Sequence, residues 1–344
     1  MDDRRPRLTP ATADVRRAVR QALEARGLDQ GSLVLVALSG GPDSLALAAA
    51  TAFEAPRAGL RAGAVVVDHG LQADSDAVAA RAAAQASALG LDPVLVTRVE
   101  VAAGPASVTG GPEAAARTAR YAALDRALTD TGARVVLLGH TLDDQAETVL
   151  LGLARGAGAA SLGGMEPVSA SGTRLRPLLG IRREATLAFC ADSGLEPWHD
   201  PHNLDPSFTR VRVREVVLPL LERELGPGIA EALARTAEQF REDDDTLHDM
   251  ATETIEDLVE HAEAGIAISA PALAANPPAL RNRIIRYVVE SEFGVSLSRA
   301  QTLAAAALVT DWHGQKGVDL PGIRVVRRGA RIVFSRAVHD TIDE

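Results

Sequence analysis

The stretch Leu33-Val-Leu-Val-Ala-Leu38, followed at once by Ser39-Gly40-Gly41-Pro42-Asp43-Ser44 and the apolar run Leu45–Ala50, restricts the fold more than any other part of the chain. An unbroken apolar run of this length is the pattern of a strand buried on both faces, and hence of a parallel sheet. Gly40 and Gly41 free the backbone to turn and remove Cβ atoms that would bar a ligand from the main chain. Pro42 presets φ for the first turn of a helix, whose N-terminus carries unpaired N–H groups and a partial positive charge. Strand, glycine turn and helix start together make an anion seat suited to phosphate. The hydroxyls of Ser39 and Ser44 add donors. Asp43 is the odd member, because a carboxylate beside phosphate needs a cation or an ammonium group between them.

The pattern then repeats. Gly63–Val67, Pro93–Val99 and Arg134–Leu138 read as further strands, and Asp14–Arg26, Asp76–Leu89 and Glu113–Thr129 as helices. Alternation of this kind implies βαβ units with right-handed crossovers. Ligands of such sheets bind beyond the carboxyl ends of the strands. Ser39–Ser44, Asp68-His69 and the run from His140 to Asp144 all fall there. Asp144 and Glu147, three apart at a helix start, project from one face, and Thr141 or Asp143 would cap that helix. Two carboxylates facing a triphosphate seat call for a counter-charge. Mg²⁺, which bridges carboxylates to phosphates, is one; a substrate ammonium group is another.

Downstream, Leu175–Leu179 reads as a short strand, Arg182–Ser193 as a helix, and Gly226-Pro227-Gly228 as a domain boundary, giving expected domains 1–226 and 227–344. Ile229–Ala264 reads as one long helix whose Glu242–Asp245 run is a solvated face. Two more helices, Ala279–Glu292 and Ser298–Val309, precede a hairpin of Ile323–Val326 and Arg331–Phe334. The expected class is α/β. It comprises a Rossmann-like parallel-sheet domain with helices on both faces, then a mainly helical C-terminal domain with a small β appendage.

Composition narrows the function. The formal charge of −10 over 344 residues argues against a uniformly basic nucleic-acid coat, so RNA contacts must come from local arginine clusters, and Lys316 is the single lysine. Arg174, Arg176, Arg182 and Arg183 form one such cluster, and Arg210, Arg212 and Arg214 another. Both suit phosphate-backbone contact, with ion pairing as the alternative. Trp198 can stack on a base or plug the core. Arg281, Arg283, Arg286 and Arg327-Arg328 offer further RNA contacts. Arg117 at the entry of its helix can neutralise phosphate bidentately, or simply pair with Glu113. Cys190, the only cysteine, excludes an internal disulfide and any CxxC site. The charged start, Met1–Pro10, is no signal peptide, and no run has the length of a membrane span. A cytoplasmic protein is the expectation.

Ser39–Ser44 resembles the pyrophosphate-binding loop of the PP-loop ATP pyrophosphatases, not a Walker loop, since Gly-Lys-Ser/Thr is absent. The wider set resembles the tRNA(Ile)-lysidine synthetases. It comprises Val67–Leu71, Glu113–Arg117 with Arg120-Tyr121, Gly139-His140 through Asp143–Thr148, Arg155–Gly158, Arg176–Leu179, and Trp198 with Asp200 and Asn203. These matches span about residues 32 to 215, and beyond Gly226 the likeness is architectural. Two positions depart from the family: Val211 stands where an Asn is usual, and Thr141 replaces the second of two adjacent histidines.

The resemblance implies that ATP binds at Ser39, Gly40, Gly41, Pro42, Asp43 and Ser44, with Asp68, His69 and His140 toward the nucleoside and Mg²⁺ near Asp43 and Asp144. It implies that the C2 oxygen of the wobble cytidine of tRNA(Ile), anticodon CAU, attacks the α-phosphate. The ε-amine of L-lysine then displaces AMP. Asp43, Asp144, Glu147 and Arg117 are the implied catalytic residues. Glu113, Tyr121, Arg155, Arg176, Trp198, Arg210, Arg212 and Arg214 are the implied substrate or tRNA contacts. A homodimer is compatible with the sequence. The rivals are a tRNA-thiolating PP-loop enzyme, for which one cysteine is too few, an amide-forming ligase without tRNA, and a non-catalytic nucleotide- or RNA-binding module.

Overall fold

The computed structural model describes residues 8–68, 70, 74–99, 112–262 and 265–337. Two compact units divide between Gln239 and Phe240, inside the helix Ile229–Leu258.

The first unit is built on five parallel strands, β1 (Leu33–Ala37), β2 (Arg61–Asp68), β3 (Val94–Arg98), β4 (Val135–Leu137) and β5 (Arg174–Leu175), in the order β3-β2-β1-β4-β5. The unbroken apolar run of β1 has a simple origin in the two-residue period of a strand. Val34, Val36 and Leu38 pack on one side with α1 (Pro10–Arg26), α2 (Pro42–Glu54) and α3 (Ser75–Ala88), through Val15, Val19, Leu45 and Ala82. Leu33 and Leu35 face the other side, against Leu124 and Leu128 of α4 (Pro112–Thr131). Each buried face must be covered, so helices lie on both.

From β1 the chain winds outward through β2 and β3, then returns to place β4 on β1's other edge. The strand order therefore reverses between β1 and β4, and a crevice opens beyond their carboxyl ends. The turn after β1 and the residues Gly139-His140 after β4 border it. Gly139 lets the two approach: a Cβ there would lie 3.0 Å from Ser44 Cα and N and 3.1 Å from the Asp43 carbonyl carbon.

The second unit is a five-stranded antiparallel sheet, β6 (Val259–Ala262), β7 (Gly265–Ser269), β8 (Val318–Leu320), β9 (Ile323–Arg328) and β10 (Arg331–Arg336), in the order β6-β7-β10-β9-β8. Helices Pro278–Phe293 and Arg299–Thr310 pack on it through Ile284, Val288 and Leu308, against Ile268, Val325 and Phe334.

Two expectations are corrected. The long helix ends at Leu258 rather than Ala264, because Val259–Ala262 pairs with β7, whose Ile266 and Ile268 pair in turn with Phe334 and Ile332, and that tertiary pairing overrides a helical reading. The expected hairpin forms as β9 and β10 and belongs to the five-stranded antiparallel sheet. Leu175–Leu179 is strand only at its first residue; Pro177–Gly180 is a turn of 3₁₀ helix. The acidic run is exposed as expected except at Asp244, which pairs with Arg283. No helix among the described residues is long and apolar enough to cross a membrane.

Candidate functional site

The turn after β1 is organised by the buried hydroxyl of Ser44. It accepts from Ser39 N at 3.2 Å, donates to the Gly41 carbonyl at 3.0 Å, and lies 3.0 Å from Ser39 Oγ. Gly40 sits at φ +85°, which a side-chain-bearing residue adopts only with strain. Its carbonyl accepts from Trp198 N at 2.8 Å, so the Trp198 segment is tied to the turn. Gly41 is the N-cap of α2, and no side chain caps that helix. An uncapped helix start above a glycine turn suits an anion.

Across the crevice, α5 (Leu142–Ala154) opens with a capping box. Thr141 Oγ1 accepts from Asp144 N at 3.4 Å, and Asp144 Oδ2 accepts from Thr141 N and Oγ1, both at 2.9 Å. This explains the departure at Thr141: a hydroxyl caps here where an imidazole does not. Val211, the other departure, is buried.

The capping aims the remaining Asp144 oxygen, and Glu147 one turn on, at Asp43 and at three guanidinium groups. Arg183 Nε lies 3.3 Å from Asp43 Oδ2, Nη2 2.9 Å from Asp144 Oδ1, and Nη1 3.3 Å from Glu147 Oε1. Arg214 donates to Glu147 from Nε at 2.7 Å and Nη2 at 3.0 Å, and also lies 3.5 Å from Asp144 Oδ1. Arg210 donates to Glu147 Oε2 at 2.9 Å and to Thr148 Oγ1 at 2.7 Å. Thr186 donates to Asp43 Oδ1. The structure thus supplies a counter-charge that spacing alone did not assign: three arginines stand against three carboxylates.

Burial raises Asp43, with neighbouring Asp144 adding, against the pull of Arg183 and Thr186. Burial would raise Asp144 too, but Arg183 and the Thr141 backbone N–H outweigh it and hold that carboxyl below its ordinary range. His140, just after β4, is pushed down to about 4 by burial, with Arg176, Arg117 and Arg210 adding and Asp144 opposing. Its Nδ1 is buried with no partner. An unpartnered ring nitrogen in a crevice wall is open to a ligand.

The other sequence candidates fall into place around this core. Asp68 is buried at the end of β2 and accepts from Gly70 N at 2.9 Å. His69 and the side chain of Glu113 lie outside the described residues. Arg117 donates to Tyr121 Oη at 3.1 Å, and Arg174 covers the same ring at 4.8 Å. Arg176 donates to the Glu166 carbonyl at 2.6 Å. Arg155, with Leu151, Ala154, Thr209 and Arg210, lines a cavity of about 480 Å³. Arg212 turns away from the site, to the carbonyls of Pro206 and Ser207.

Sequence reasoning gave no site role to Asp143, which accepts from Arg183 N at 2.7 Å, or to Thr186. Gln145 also escaped it. Its buried amide donates to the Met165 carbonyl and accepts from Met165 N, holding the glycine-rich loop against α5. A signal for Asp143 existed: an arginine at a helix start opposes the helix dipole and calls for an acid nearby.

Among the described residues no cluster of three or more His, Cys, Asp and Glu forms a metal cage. The Asp43–Asp144 pair still fits Mg²⁺, since a magnesium nucleotide needs only one or two carboxylates from the protein, with hard oxygens as donors.

Residues 11–221 match a family model described as PP-loop domain, and residues 268–333 one described as TilS substrate binding domain. A tRNA(Ile)-lysidine synthase from Leifsonia xyli subsp. xyli is 65% identical over 308 residues, 89% of this chain and 91% of that protein. One from Thermobifida fusca is 52% identical over 93% of this chain and 95% of that protein. A solved U34-tRNA thiolase from Methanococcus maripaludis, with a [4Fe-4S] cluster, superposes with a TM-score of 0.55 at 20% identity, over 67% of this chain and 80% of that one. That likeness concerns the fold alone.

Proposed function

The chain belongs to the tRNA(Ile)-lysidine synthase family, and from that premise we propose that it joins L-lysine to C2 of the wobble cytidine of tRNA(Ile) with anticodon CAU. ATP activates the base, pyrophosphate and then AMP leave, and codon reading changes from AUG to AUA. The observation that carries this reading is the facing of an uncapped glycine turn and a buried acid cluster across one crevice.

The β- and γ-phosphates would rest on the Ser39–Ser44 turn, where main-chain N–H groups and the Ser39 hydroxyl oppose the charge that grows as pyrophosphate leaves. His140, held neutral, would offer its free Nδ1 to the nucleoside. Asp43 and Asp144 would hold Mg²⁺, which when bound screens the phosphates. Glu147 and Asp144 would hold the lysine ammonium or accept the proton that its amine gives up. Arg210 and Arg214, already at the cluster, carry the charge to meet the lysine carboxylate. Adenylation turns the C2 oxygen from a poor leaving group into a good one, which is why ATP must act first.

We keep the division into a catalytic part (1–226) and a tRNA-binding part (227–344). Its support is that the PP-loop match ends at residue 221 and the substrate-binding match begins at 268. We infer that it works in the cytoplasm, with its tRNA and ATP substrates. Thiolation is disfavoured by the sulfur chemistry. The single cysteine, Cys190, is buried and its thiol is pushed up to about 11 by burial with Asp43 adding, the reverse of a nucleophilic thiolate.

The test is incubation with ATP, Mg²⁺, labelled lysine and tRNA carrying CAU. Label should enter only when the wobble base is C. Asp43→Asn and Asp144→Asn should abolish labelling with the fold intact; full activity in either would remove their assigned roles.

A further inference from the structure

We propose that Arg183 is the exchangeable counter-ion of the acid cluster: it spaces Asp43, Asp144 and Glu147 before substrate arrives, and it is the group that an incoming divalent cation displaces. The proposal rests on the reading of Asp43 and Asp144 as the seat of that cation.

Among the described residues Arg183 is the one cation bonded to all three carboxylates, at 3.3, 2.9 and 3.3 Å. Its place at the first residue of α6 (Arg183–Asp192) makes it conspicuous, because the positive end of a helix dipole disfavours a cation there. Asp143, accepting from its backbone N–H, and the three carboxylates offset that cost. The side chain therefore earns its position by what it touches across the crevice.

The three guanidiniums are not equivalent. Arg210 and Arg214 both grip Glu147, through contacts of 2.7 to 3.0 Å. Were Arg183 to leave, Glu147 would stay doubly paired. Asp43 would lose its one ion pair among the described residues, and Asp144 its shorter one. The departure thus uncovers the two carboxylates that suit a magnesium nucleotide and no others. Arg183 and a dication cannot share those oxygens cheaply, since like charges a few ångströms apart repel strongly in a half-buried site. Arg183 is 20% exposed, so its long side chain has room to swing. Once free it lies beside the phosphate seat, and a guanidinium fork matches phosphate oxygens bidentately.

The experiment uses the full chain and the variants Arg183→Gln and Arg183→Lys. Two quantities are read: the Mg²⁺ concentration that half-saturates tRNA-dependent pyrophosphate release, and the shift in melting temperature on adding Mg²⁺ without nucleotide. Removing a competing charge at this distance should lower the half-saturating Mg²⁺ by about tenfold in Arg183→Gln. The maximal rate should fall as the carboxylates lose their spacing. Mg²⁺ alone should raise the melting temperature of Arg183→Gln more than that of the unaltered protein. Arg183→Lys keeps the charge on one point instead of a fork, so it should move both readouts the same way by less, and it carries the test if the glutamine variant does not fold. A reduced maximal rate with unchanged Mg²⁺ dependence and an unchanged thermal response would overturn the exchange role. If Asp43→Asn and Asp144→Asn still incorporate lysine, the cation seat itself is wrong, a different failure from this one.

Discussion

Glu147 is the most demanding position in the cluster. Its side chain is fully buried, yet it receives Arg183 Nη1 and Arg214 Nε on Oε1, at 3.3 and 2.7 Å, and Arg210 Nε and Arg214 Nη2 on Oε2, at 2.9 and 3.0 Å. Both oxygens are saturated by charged donors. In Glu147→Gln one oxygen becomes an NH₂ group, and either amide orientation sets a donor against two guanidinium donors. Removing one partner of a buried ionic cluster costs about 3–5 kcal/mol, because the remaining charges stay buried and unpaired. For a unit of this size each kcal/mol lowers the melting temperature by about 2–4 °C, so a fall of about 6–20 °C is expected. Thermal and urea unfolding followed by circular dichroism measure the two quantities, with Arg212→Ala as the control, since among the described residues Arg212 bonds within its own segment. Adding Arg214→Met to Glu147→Gln should recover part of the loss, because it removes a stranded cation. A loss below about 1 kcal/mol for Glu147→Gln, no larger than for the control, would refute the claim that this carboxylate is the electrostatic centre of the site.

Gly139→Ala should weaken ATP binding at least tenfold while leaving the fold intact, because the new Cβ meets backbone atoms of Asp43 and Ser44 at 3.0–3.1 Å and pushes the phosphate turn out of place; isothermal titration decides, and an unchanged affinity would clear Gly139 of that role. His140 stays neutral in the fold down to about pH 4 but takes a proton near 6.5 when unfolded. Its share of stability is therefore complete above about pH 6.5 and is lost as pH falls toward 4, by about 3 kcal/mol in all. His140→Asn should flatten the urea midpoint across that window, and an identical slope in the two proteins would contradict it. Gln145→Leu should cost about 1–3 kcal/mol by removing both amide contacts to the Met165 backbone. Amide hydrogen exchange at Met165 should speed up with it; continued protection there would show another support for the loop.

The sheet was legible because a doubly buried strand leaves a doubly apolar run, and β1, β2 and β4 each carry one. The crevice followed from topology, since a parallel sheet has one rim where its turns collect. The strands β6 and β7 were not legible. Helix-compatible residues continue past Leu258, and what converts the next segment to strand is its pairing with β7, which in turn rests on β10, far along the chain. The site divides in the same way. Asp43, Asp144 and Glu147 could be found locally, from a turn and a helix start. The arginines that face them come from two other segments, and their partners depend on how those segments dock.

One part of that docking was present in the sequence all the same. Arg210 and Arg214 are four apart and Arg212 lies between them, so on a helical segment the outer two share a face and the middle one opposes it. The structure places them so: Arg210 and Arg214 on Glu147, Arg212 on the carbonyls behind. This spacing also accounts for Val211, which is carried toward the interior, where it is buried and an amide would need a partner. A basic triplet in an acidic chain thus has two readings, an RNA-facing stripe or the far wall of an acid pocket. Burial decides between them for the resting protein, because a guanidinium bonded to a fully buried carboxylate is not free for the tRNA backbone unless something takes its place. What replaces it must be cationic. Lysine and magnesium, the two cations the proposed reaction requires, meet that condition. The cluster that neutralises itself at rest is therefore also the one place in the crevice where both could be recognised by charge.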